Sequence, residues 1–549
     1  MGYAHEYAAA IMHRGRIPME PADFVPDWAD RPRKAKYYPG AEAFPLPGSS
    51  YPDEATTGAG CLGDTVNRRT NEDSRHADGS GAGPEGHFTL PVLSGLLQDS
   101  YGLSGRRLGI QANTDLGALP HYTHANWSRG TASGGGLYPA SVYWVTGASG
   151  PLLPGVYYYS PLQHAMQRLL SGNVTGHVRE ALGEPAHTDA PRPGPVCDQF
   201  LVLGVKYWQN SFKYNSFSFH AVSMDVGALL QTWRMWLRAR GMEFAPVLWF
   251  DERRLSGLLG LDAEEEGLFA VVPLRWRTQA PAAPAAPGPR VRLKDSERSR
   301  SVIDFDTLLR IHRSTASDTA ERPEARAVAT CVPAPLPGHL ERVALPPAAL
   351  PAVSVRDALR ARRSSFGRFD ASVPTTADQL AATLAACAAT RVGGDGELEG
   401  TPGLSRLYAF VNHVKGIEAG VYAYEADRHT LCRLSEDPPG SFLQQNYFLS
   451  NYNLEQAGAV IVPTLRTTAV LDAVGDRGYR LVNATVGAVA QTFYTTAAAQ
   501  ELGAGVALGF DNISFIERLG LEGTGEAPLL IMLLGNERPR PADFISDIA

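Results

Sequence analysis

Two segments of the 549-residue chain repeat each other in register. The segment LLPGVYYYSPLQHAMQRL (152–169) aligns with IEAGVYAYEADRHTLCRL (417–434) at a constant offset of 265. Further along, VLWFDERRLSGLLGL (247–261) aligns with ALGFDNISFIERLGL (507–521) at an offset of 260. So many matches in one register indicate a tandem duplication of a domain of about two hundred residues, which is an ordinary domain size.

A change of composition separates the two copies. The segment between them begins with TQAPAAPAAPGPR and contains CVPAPLPGHLERVALPPAALPAV further along. Segments rich in proline and alanine favour extended, semi-rigid chain. We therefore predict an N-terminal arm and irregular segment over 1–86, a first domain over 87–278, a linker over 279–350 and a second domain over 351–549. Within the linker, SVIDFDTLLRIHR predicts one short helix.

The pattern within each copy predicts an α+β fold. Apolar runs such as ASVYWVTG and FLVLGVKYW in the first copy, and RLYAFVNHV and AGAVIVPTL in the second, are typical of strands. SMDVGALLQTWRMWLRARG and NATVGAVAQTFYTTAAAQELG have helical periodicity and are apolar around most of their circumference, which favours helices buried in a core or an interface. These two helices carry a glycine and a glutamine in the same register: Gly227 and Gln231, Gly487 and Gln491.

Composition argues against several classes of function. A net charge of -7 without any run of lysines or arginines gives no sign of nucleic-acid or membrane-surface binding. No apolar stretch is long enough to span a bilayer, and the start MGYAHEYAAAIMHRGRIPMEP lacks the apolar core of a signal peptide. The five cysteines form no CxxC pair and therefore indicate neither a disulfide framework nor a metal site. These features favour a cytoplasmic protein.

A glycine-rich turn and a Lys-Tyr pair in the first copy are candidates for chemistry. In RGTASGGGLYP, Ser133 and three glycines precede an aromatic strand, which either allows a close approach to the backbone or is an ordinary flexible loop. In QNSFKYNSFSFH, Lys213 stands beside Tyr214, and a neighbouring ammonium favours an ionised phenol that can accept a proton. Adjacent strand residues point to opposite faces, so this pairing needs a turn or a helix start. An exposed pair without function is the alternative.

Two arginine-containing motifs in the second copy are suited to binding an anion. RARRSSFGRFD contains Arg362, Arg363 and Ser364 after an amphipathic run, and these groups could hold a phosphate through charge-assisted hydrogen bonds. A solvated helix end is the alternative. LLGNERPR places Arg538 and Arg540 after a strand, where they either add positive charge or belong to a tail without function.

The order of these motifs resembles the SagB/ThcOx-type dehydrogenases of the FMN-dependent nitroreductase superfamily. The resemblance rests on the arm of residues 7–39, on RxxxSGGGLYP, on the GVYYY strand, on the Lys-Tyr pair before a helix with glycine and glutamine, and on FDxxxxxxLGL. It covers nearly the whole chain except the linker. The chain departs from the family's pattern at Ala132, where a proline is usual, and near Ala140 and Ser141, where a glutamate is often found.

The resemblance implies a fold, a cofactor and a set of site residues. The fold would be two tandem nitroreductase-like domains, each a mainly antiparallel sheet flanked by helices, which form an internal pseudo-dimer. Two protomers share each FMN site in this superfamily: one holds the phosphate and supplies a Gly-Phe-Asp loop, and the other places a Ser/Gly-rich turn beside the ring. The implied cofactor-binding residues are Arg129, Ser133, Gly134, Gly135, Arg362, Arg363, Ser364, Gly509, Phe510, Arg538 and Arg540, and the implied catalytic residues are Lys213 and Tyr214.

The two copies keep different parts of this site. The first copy has Trp249 in place of Gly509, and a tryptophan should block a close approach to a planar cofactor. The second copy, at the offsets used above, has LEGT (398–401) in place of the glycine-rich turn and Ala-Val (473–474) in place of the Lys-Tyr pair. We therefore predict one working FMN site built from both copies, and a degenerate second site that would use RRT (68–70).

The resemblance also implies an activity. This is the oxidation of thiazoline or oxazoline rings to thiazoles or oxazoles in a ribosomally synthesised, modified peptide, with Tyr214 or Lys213 removing the acidic α-proton. An NAD(P)H-dependent nitro or quinone reductase, and a flavin-free scaffold that binds a leader peptide or a cyclodehydratase, stay open as alternatives. The implied partners are a modified precursor peptide, a cyclodehydratase and further copies of the chain, with no nucleic acid and no membrane.

Overall fold

The computed structural model describes residues 2–48, 55–63, 86–108, 125–184, 197–278, 288–324, 326–397, 402–539 and 544–548. Its helices are α1 (Tyr3–His13), α2 (Leu90–Ser100), α3 (Thr175–Ala181), α4 (Trp208–Tyr214), α5 (Ser218–Arg238), α6 (Glu252–Leu259), α7 (Asp306–Thr315), α8 (Val355–Ala361), α9 (Ala377–Ala388), α10 (Gly440–Gln445), α11 (Thr467–Val474), α12 (Gly478–Ala499) and α13 (Asn512–Leu519). Its strands are β1 (Glu42–Pro45), β2 (Gly105–Leu108), β3 (Ala125–Ser128), β4 (Ala140–Thr146), β5 (Gly155–Ser160), β6 (Ala165–Ser171), β7 (Gln199–Lys206), β8 (Glu266–Pro273), β9 (Arg342–Ala344), β10 (Thr375–Thr376), β11 (Ser405–Val411), β12 (Val414–Lys415), β13 (Gly420–Glu425), β14 (Thr430–Ser435), β15 (Ala459–Leu465), β16 (Gly503–Ala507), β17 (Ala527–Pro528), β18 (Ile531–Gly535) and β19 (Phe544–Asp547).

Each half of the chain folds around its own antiparallel sheet. The first sheet has the order β1-β6-β5-β4-β7-β8. The second has the order β16-β18-β15-β11-β13-β14-β9, with β17 paired to β15. The run β6-β5-β4-β7-β8 of the first sheet thus recurs as β14-β13-β11-β15-β18 in the second. The predicted α+β class and the predicted tandem duplication are confirmed.

Local details of the hairpins recur as well. Tyr159 Oη shares a hydrogen bond of 2.9 Å with His164 Nδ1, and Tyr424 Oη shares one of 2.7 Å with His429 Nδ1. Both histidines have left-handed backbones, with φ of +46° and +50°. A left-handed backbone is strained for histidine. In each hairpin, the hydrogen bond with the tyrosine stabilises the turn that contains the strained residue. The sequence matches that revealed the repeat therefore mark side chains that shape the same hairpin twice.

Helices α5 and α12, one from each half, cross at two glycines. A Cβ atom added to Gly227 would overlap the backbone of Ala484, and one added to Gly487 would overlap the backbone of Met224. Only glycine allows the two helix backbones to come this close. Gln231 Nε2 also donates to Thr492 Oγ1 at 2.9 Å across this interface. The two halves share one continuous hydrophobic core here, as expected for an internal pseudo-dimer.

The ends of the chain and the linker connect the halves further. The α1 helix of the arm ends against the loop after β16, where Arg14 donates to Leu508 O, and to Asn512 Oδ1 at 2.7 Å. Strand β19 pairs antiparallel with β2, so the C-terminal part of the chain completes a β19-β2-β3 sheet on the first half. In the predicted linker, the short helix is α7, and β9 extends the edge of the second sheet.

Three features named above lie outside the described residues: Arg540, the RRT sequence at 68–70 and the LEGT sequence at 398–401. None of the helices in the described ranges is long and apolar enough to cross a membrane. The described cysteines are free thiols, and all except Cys197 are buried.

The crossing of α5 and α12 predicts a large cost for added volume. Gly227→Ala and Gly487→Ala should each lower the free energy of unfolding by about 1–3 kcal/mol, because each new methyl overlaps backbone that cannot move aside. The control is Gly257→Ala on α6, where a Cβ meets nothing within 4 Å, so the helix should gain up to about 1 kcal/mol. Thermal unfolding of the three variants checks this. Equal effects at all three positions would contradict a tight crossing.

Candidate active site between the two halves

A buried carboxylate holds the glycine-rich turn of residues 133–136. Ser133 Oγ donates to Asp225 Oδ2 at 2.6 Å, and the backbone N–H of Gly134 donates to Asp225 Oδ1 at 2.8 Å. Ser133 Oγ in turn accepts from the N–H of Tyr138 at 2.9 Å. Gly135 has a left-handed backbone, with φ of +64°. The segment is therefore a defined turn. Its left-handed glycines adopt backbone conformations that cost other residues conformational free energy.

Lys213 and Tyr214 close helix α4 and lie against this turn. A Cβ atom added to Gly135 would lie 2.6 Å from Tyr214 Oη and 2.9 Å from Lys213 Nζ. The ammonium of Lys213 lies 4.6 Å from the ring centre of Tyr214. Asn215, with φ of +41°, turns the chain directly after the pair. The two side chains meet because they end a helix, whereas the sequence argument expected a turn or a helix start.

The N-terminal arm fixes the segment that follows the pair. Tyr7 Oη donates to Ser216 O at 2.7 Å, and Ser216 Oγ donates to Glu20 O at 2.5 Å. Asn215 Nδ2 donates to Pro21 O at 3.3 Å. The arm is thus part of the wall around Lys213 and Tyr214, which explains why a motif outside the repeated domains accompanies the site.

Residues of the second half hold the approach to the turn. Gln491 Oε1, on α12, accepts from the N–H of Ala132 at 2.8 Å, and Gln491 Nε2 donates to Gly130 O at 3.2 Å. Arg362 Nε donates to Gly130 O at 2.9 Å, and Arg362 Nη2 donates to Arg129 O at 3.1 Å. The structure therefore brings Arg362 of the second half and the glycine-rich turn of the first half together.

Arg363 and Ser364 lie next along the chain and have other partners. Arg363 forms an ion pair with Glu537, which follows β18. Ser364 Oγ shares a hydrogen bond of 2.8 Å with Tyr494 Oη on α12. Arg363 and Ser364 remain only partly buried, so both can still be reached by a ligand.

Arg538 returns to the same segment of the second half. Its backbone N–H donates to Arg368 O at 2.8 Å, and its Nη2 donates to Gly367 O at 2.7 Å. Of the two basic residues predicted after the last strand of the sheet, Arg538 therefore joins the Arg-Arg-Ser segment, and Arg540 lies outside the described residues.

Gly509 and Phe510 are connected to the Lys-Tyr pair through Arg14. The guanidinium of Arg14 lies 5.9 Å from the ring centre of Phe510 and 5.1 Å from that of Phe217. The Phe217 ring lies 6.2 Å from the ring of Tyr214. A continuous series of ring and cation contacts thus runs from the Gly-Phe loop of the second half to the pair of the first half.

Arg129 lies behind the turn instead of on its open face. Its side chain is buried, with the residue only 2% exposed, and its guanidinium lies 4.6 Å and 4.3 Å from the ring centres of Tyr101 and Tyr138. Arg129 Nη2 donates to Lys34 O at 3.2 Å. The resemblance assigned Arg129 to the cofactor, but its contacts here support the turn and the arm, because the neighbouring tyrosines cover the guanidinium.

The second half has its own glycine-rich turn, GGDG at 393–396. Gly393 and Gly394 have left-handed backbones, with φ of +77° and +63°. In each half, a threonine before the turn hydrogen-bonds a threonine of the long helix: Thr131 with Thr232 at 3.0 Å, and Thr390 with Thr492 at 2.9 Å. The counterpart of the 133–136 turn is therefore 392–395, and the alignment with 398–401 was wrong. The segment between the turn and the next strand is longer in the second half, and this shifts the offset.

Protein groups close the counterpart site. Asp395 accepts from the N–H of Leu248 at 2.7 Å and from the N–H of Trp249 at 3.2 Å. A Cβ atom added to Gly394 would overlap Pro246 O, so the turn touches the opposite loop directly. Trp249 itself is buried. No space for a planar ring is left between this turn and this loop.

The equivalent backbone groups of the candidate site are open. Leu508 and Gly509 stand where Leu248 and Trp249 stand in the other half, 260 residues earlier. No described residue accepts a hydrogen bond from the N–H of Leu508 or Gly509. Gly135 contacts the Lys-Tyr pair where Gly394 contacts the opposite loop. The backbone N–H groups of Leu508 and Gly509 are thus available to a ligand in the candidate site. In the counterpart site, Asp395 accepts from the equivalent N–H groups.

Comparison with known proteins adds the family. Residues 359–536 match the model described as the nitroreductase family. This part of the chain, about a third of its length, is thus similar to nitroreductase-family domains. A protein of Methanocaldococcus jannaschii, named as a putative nitroreductase, is 33% identical to the chain over 139 residues, which are 24% of this chain and 64% of that protein. The match thus spans somewhat less than two thirds of that relative.

A solved structure shares the whole arrangement. The crystal structure of a putative nitroreductase from Anabaena variabilis aligns with a TM-score of 0.69 and 21% identity, and covers 98% of this chain and 100% of that one. That of a putative nitroreductase from Ralstonia eutropha aligns with a TM-score of 0.30 and 20% identity, over 38% of this chain and 96% of its own. The first alignment shows that the tandem nitroreductase-like fold, and not only one domain, has a precedent.

Asp225 is the site residue that sequence reasoning missed. It is the single acidic residue within an otherwise apolar part of α5, and this isolation was the available signal. Burial raises the pKa of its carboxyl group to about 7, although the hydrogen bonds from Ser133 and Gly134 lower the pKa in part. No described cation pairs with it. The carboxylate thus carries a free-energy cost that its two bonds to the turn offset only partly.

Asp225→Asn is expected to raise stability at pH 8, by an amount that shrinks as the pH falls to 5. A raised pKa means that the folded protein binds this proton more tightly than the unfolded chain does, so the wild type gains stability as the pH falls from about 7 towards the ordinary aspartate range. Asparagine is never charged. At about 1.4 kcal/mol per pKa unit, the difference at pH 8 is a few kcal/mol.

Thermal unfolding at pH 5, 6, 7 and 8 measures this difference. The exposed Asp427→Asn is the control, and it should leave the pH dependence of stability as in the wild type. A difference between Asp225→Asn and the wild type that stays constant with pH would show that this carboxyl group does not titrate in the range.

Proposed function

We propose that the chain is an FMN-dependent dehydrogenase that oxidises thiazoline or oxazoline rings of a ribosomally synthesised peptide to thiazoles or oxazoles. One observation supports the proposal: the Lys213-Tyr214 pair lies against the glycine-rich turn, and contacts through Phe217 and Arg14 link it to the Gly-Phe loop, where two backbone N–H groups have no acceptor among the described residues. A base and a pair of donors for a ring system are what such an oxidation requires. The similarity to nitroreductase-family domains supports a flavin oxidoreductase.

The phosphate of FMN fits the Arg-Arg-Ser segment. Arg363 and Ser364 are partly exposed and offer a guanidinium and a hydroxyl, while the buried Arg362 beside them has Nε and Nη2 bonded to carbonyls of the first half. Arg538 donates to Gly367 O, three residues after Ser364. Guanidinium groups bind phosphate oxygens through charge-assisted, bidentate hydrogen bonds.

The glycine-rich turn and the Gly-Phe loop would hold the ring of FMN. In the counterpart site, carboxylate oxygens of Asp395 accept from the N–H groups of Leu248 and Trp249. The same pair of N–H groups at Leu508 and Gly509 therefore suits an acceptor-bearing ring edge. Gly509 also lacks the side chain that Trp249 places at the equivalent position. The fit is to one ring per chain.

Tyr214 and Lys213 would handle the proton. Bound FMN supplies a hydride acceptor for the carbon of the azoline ring. Tyr214 Oη would take the proton from the neighbouring, acidic α-carbon, with Lys213 Nζ 4.6 Å from the ring centre of Tyr214 as the alternative base. Loss of one hydride and one proton leaves an aromatic ring, so the step is downhill and a modest base suffices. Gly135 leaves room for both side chains at the turn.

A second candidate is an NAD(P)H-dependent reduction of nitro compounds or quinones. The family match and the names of the relatives favour it. Such a reductase would need the same flavin site but no base at Tyr214. The two functions therefore differ in what they require of the Lys-Tyr pair.

Purified protein should contain one FMN per chain, and Lys213→Ala and Tyr214→Phe should keep it while losing azoline oxidation. Flavin absorbance gives the content, and mass spectrometry of a thiazoline peptide gives the loss of two hydrogens per ring. NADPH oxidation with a nitroarene is measured in parallel. Full azoline oxidation in both variants would remove the pair from the mechanism, and robust nitroarene reduction without azoline oxidation would favour the second candidate. Absence of flavin would favour a scaffold.

The two glycines of the turn provide a matched pair of variants. Gly135→Ala and Gly136→Ala both place a side chain at φ of +64°, which costs about 1–2 kcal/mol in either case. Only the Cβ at position 135 meets Tyr214 Oη and Lys213 Nζ, whereas at position 136 it meets nothing within 4 Å. Turnover should therefore fall at least tenfold more in Gly135→Ala, with equal flavin content and similar thermal stability. Equal losses of turnover would mean that the contact with the pair is not required.

A further inference from the structure

The arm brings a group of positive charges to the Lys-Tyr pair. Its backbone is held in place there, because Gln209 Nε2 donates to Arg33 O at 2.9 Å and Arg129 Nη2 donates to Lys34 O at 3.2 Å. Arg31 and Lys34 therefore stand on a fixed piece of chain. Both are exposed, so a ligand can reach them.

Trp28 covers the other side of Lys213. The ammonium of Lys213 lies 5.9 Å from the ring centre of Trp28, and this indole packs edge-on against Phe212 at 5.3 Å. Trp28 is nevertheless 49% exposed. The pair thus lies beside an open aromatic surface at the same place where the arm contributes its charges.

The positive charges of this group lack acidic partners. Arg31, Lys34 and Lys213 form no ion pair with any acidic residue of the described ranges. Beneath them, Nε and Nη1 of the buried Arg129 have no hydrogen-bond partner there. Lys34 is exposed as a residue, but neighbouring groups partly desolvate its ammonium; this desolvation first, and then the charges of Arg129, Arg31 and Lys213, lower the pKa of Lys34. Cations crowded in this way repel one another unless an anion lies among them.

Other charged residues of the arm are already engaged. Arg33 Nη1 donates to Ser296 O at 2.6 Å, and Lys36 pairs with Glu266. The carboxylate of Asp30 accepts from the backbone of residues 300 and 301, and that of Asp27 accepts from the backbone of residues 29 and 30. Asp27 thus serves the backbone of the arm and Asp30 that of the linker, and neither forms an ion pair with the exposed Arg31 and Lys34 or with the half-buried Lys213.

We infer that Arg31, Lys34 and Lys213 bind a carboxylate of the peptide substrate, namely an aspartate or glutamate side chain next to the ring that is oxidised, and that Trp28 contacts the apolar part of the same segment. This subsite rests on the proposed function, since it names the peptide class that the same site accepts. It makes the arm a determinant of specificity. Lys213 then serves both the phenol of Tyr214 and the bound carboxylate.

The test uses the FMN-loaded chain and two synthetic thiazole peptides that differ only in an aspartate or an asparagine beside the ring. These peptides are products, so their binding requires no turnover. Isothermal titration calorimetry should show the aspartate peptide bound at least tenfold more tightly by the wild type. Lys34→Gln and Arg31→Gln should each reduce this ratio to about threefold or less while leaving the asparagine peptide unaffected. Raising the ionic strength from about 0.05 M to about 0.5 M should also reduce it.

Lys415→Gln, at an exposed lysine of the short strand β12, is the matched control and should keep the wild-type ratio. A wild-type ratio near one, an unchanged ratio in both arm variants, or a loss of FMN from those variants would each overturn the subsite, the last because the cations would then hold the cofactor. Azoline oxidation is assayed separately. A preference for the aspartate peptide without any oxidation would keep the subsite and reject the proposed chemistry, and oxidation without the preference would do the reverse.

Discussion

The close crossing of α5 and α12 determines where every part of the candidate site lies. Because Gly227 and Gly487 let the two helix backbones touch, side chains of one helix reach the loops of the other half. Gln491 on α12 thereby holds the approach to the first half's glycine-rich turn, while Asp225 on α5 holds the turn itself. A wider separation of the helices would part these two supports. The relative position of these two supports of the turn thus depends on a packing contact of two glycines in the core.

The two halves share a fold but use it differently. In one interface between turn and loop, Asp395 satisfies the backbone donors and Trp249 fills the remaining space. In the other, the donors are open and a Lys-Tyr pair faces the turn. A filled interface contributes packing and hydrogen bonds to stability, whereas an open one leaves polar groups to be satisfied by water or a ligand. The two copies therefore differ in their backbone donors, which protein groups satisfy in one interface and leave without an acceptor among the described residues in the other.

Much of the fold could be predicted from the sequence, because the features concerned are local or repeated. Strand and helix patterns recur in each half, and the repeat identified the domains' common topology before any contact was known. The glycine-rich turn and the Lys-Tyr pair were also identified from sequence. The contact between Gly135 and Tyr214 was not, since it joins segments almost eighty residues apart. Asp225 was missed for the same reason, because its partners lie on a distant turn.

Other misses have other physical causes. The second turn at 392–395 was misplaced because a longer connection changes the offset, and a constant offset cannot follow an insertion. The assignment of Arg129 to the cofactor stays a prediction, and its contacts with two tyrosine rings could not be foreseen because those residues are distant in sequence or on the other side of the turn. Pairing of β19 with β2 could not be read from either segment, because four residues carry too little pattern to specify a partner strand.

That pairing of β19 with β2 has a consequence for the chain as a whole. The last strand belongs by sequence to the second half but completes a sheet of the first, so neither half contains all of its own backbone partners. Cleavage of the chain within the linker would leave one edge of β2 unpaired in the first fragment and β19 without a partner strand in the second. An exposed strand edge has unpaired N–H and C=O groups, and these can pair with a strand of another molecule. Because both halves belong to one polypeptide, each first half pairs with one second half, and the edge of β2 is covered by β19 instead of being open to self-association.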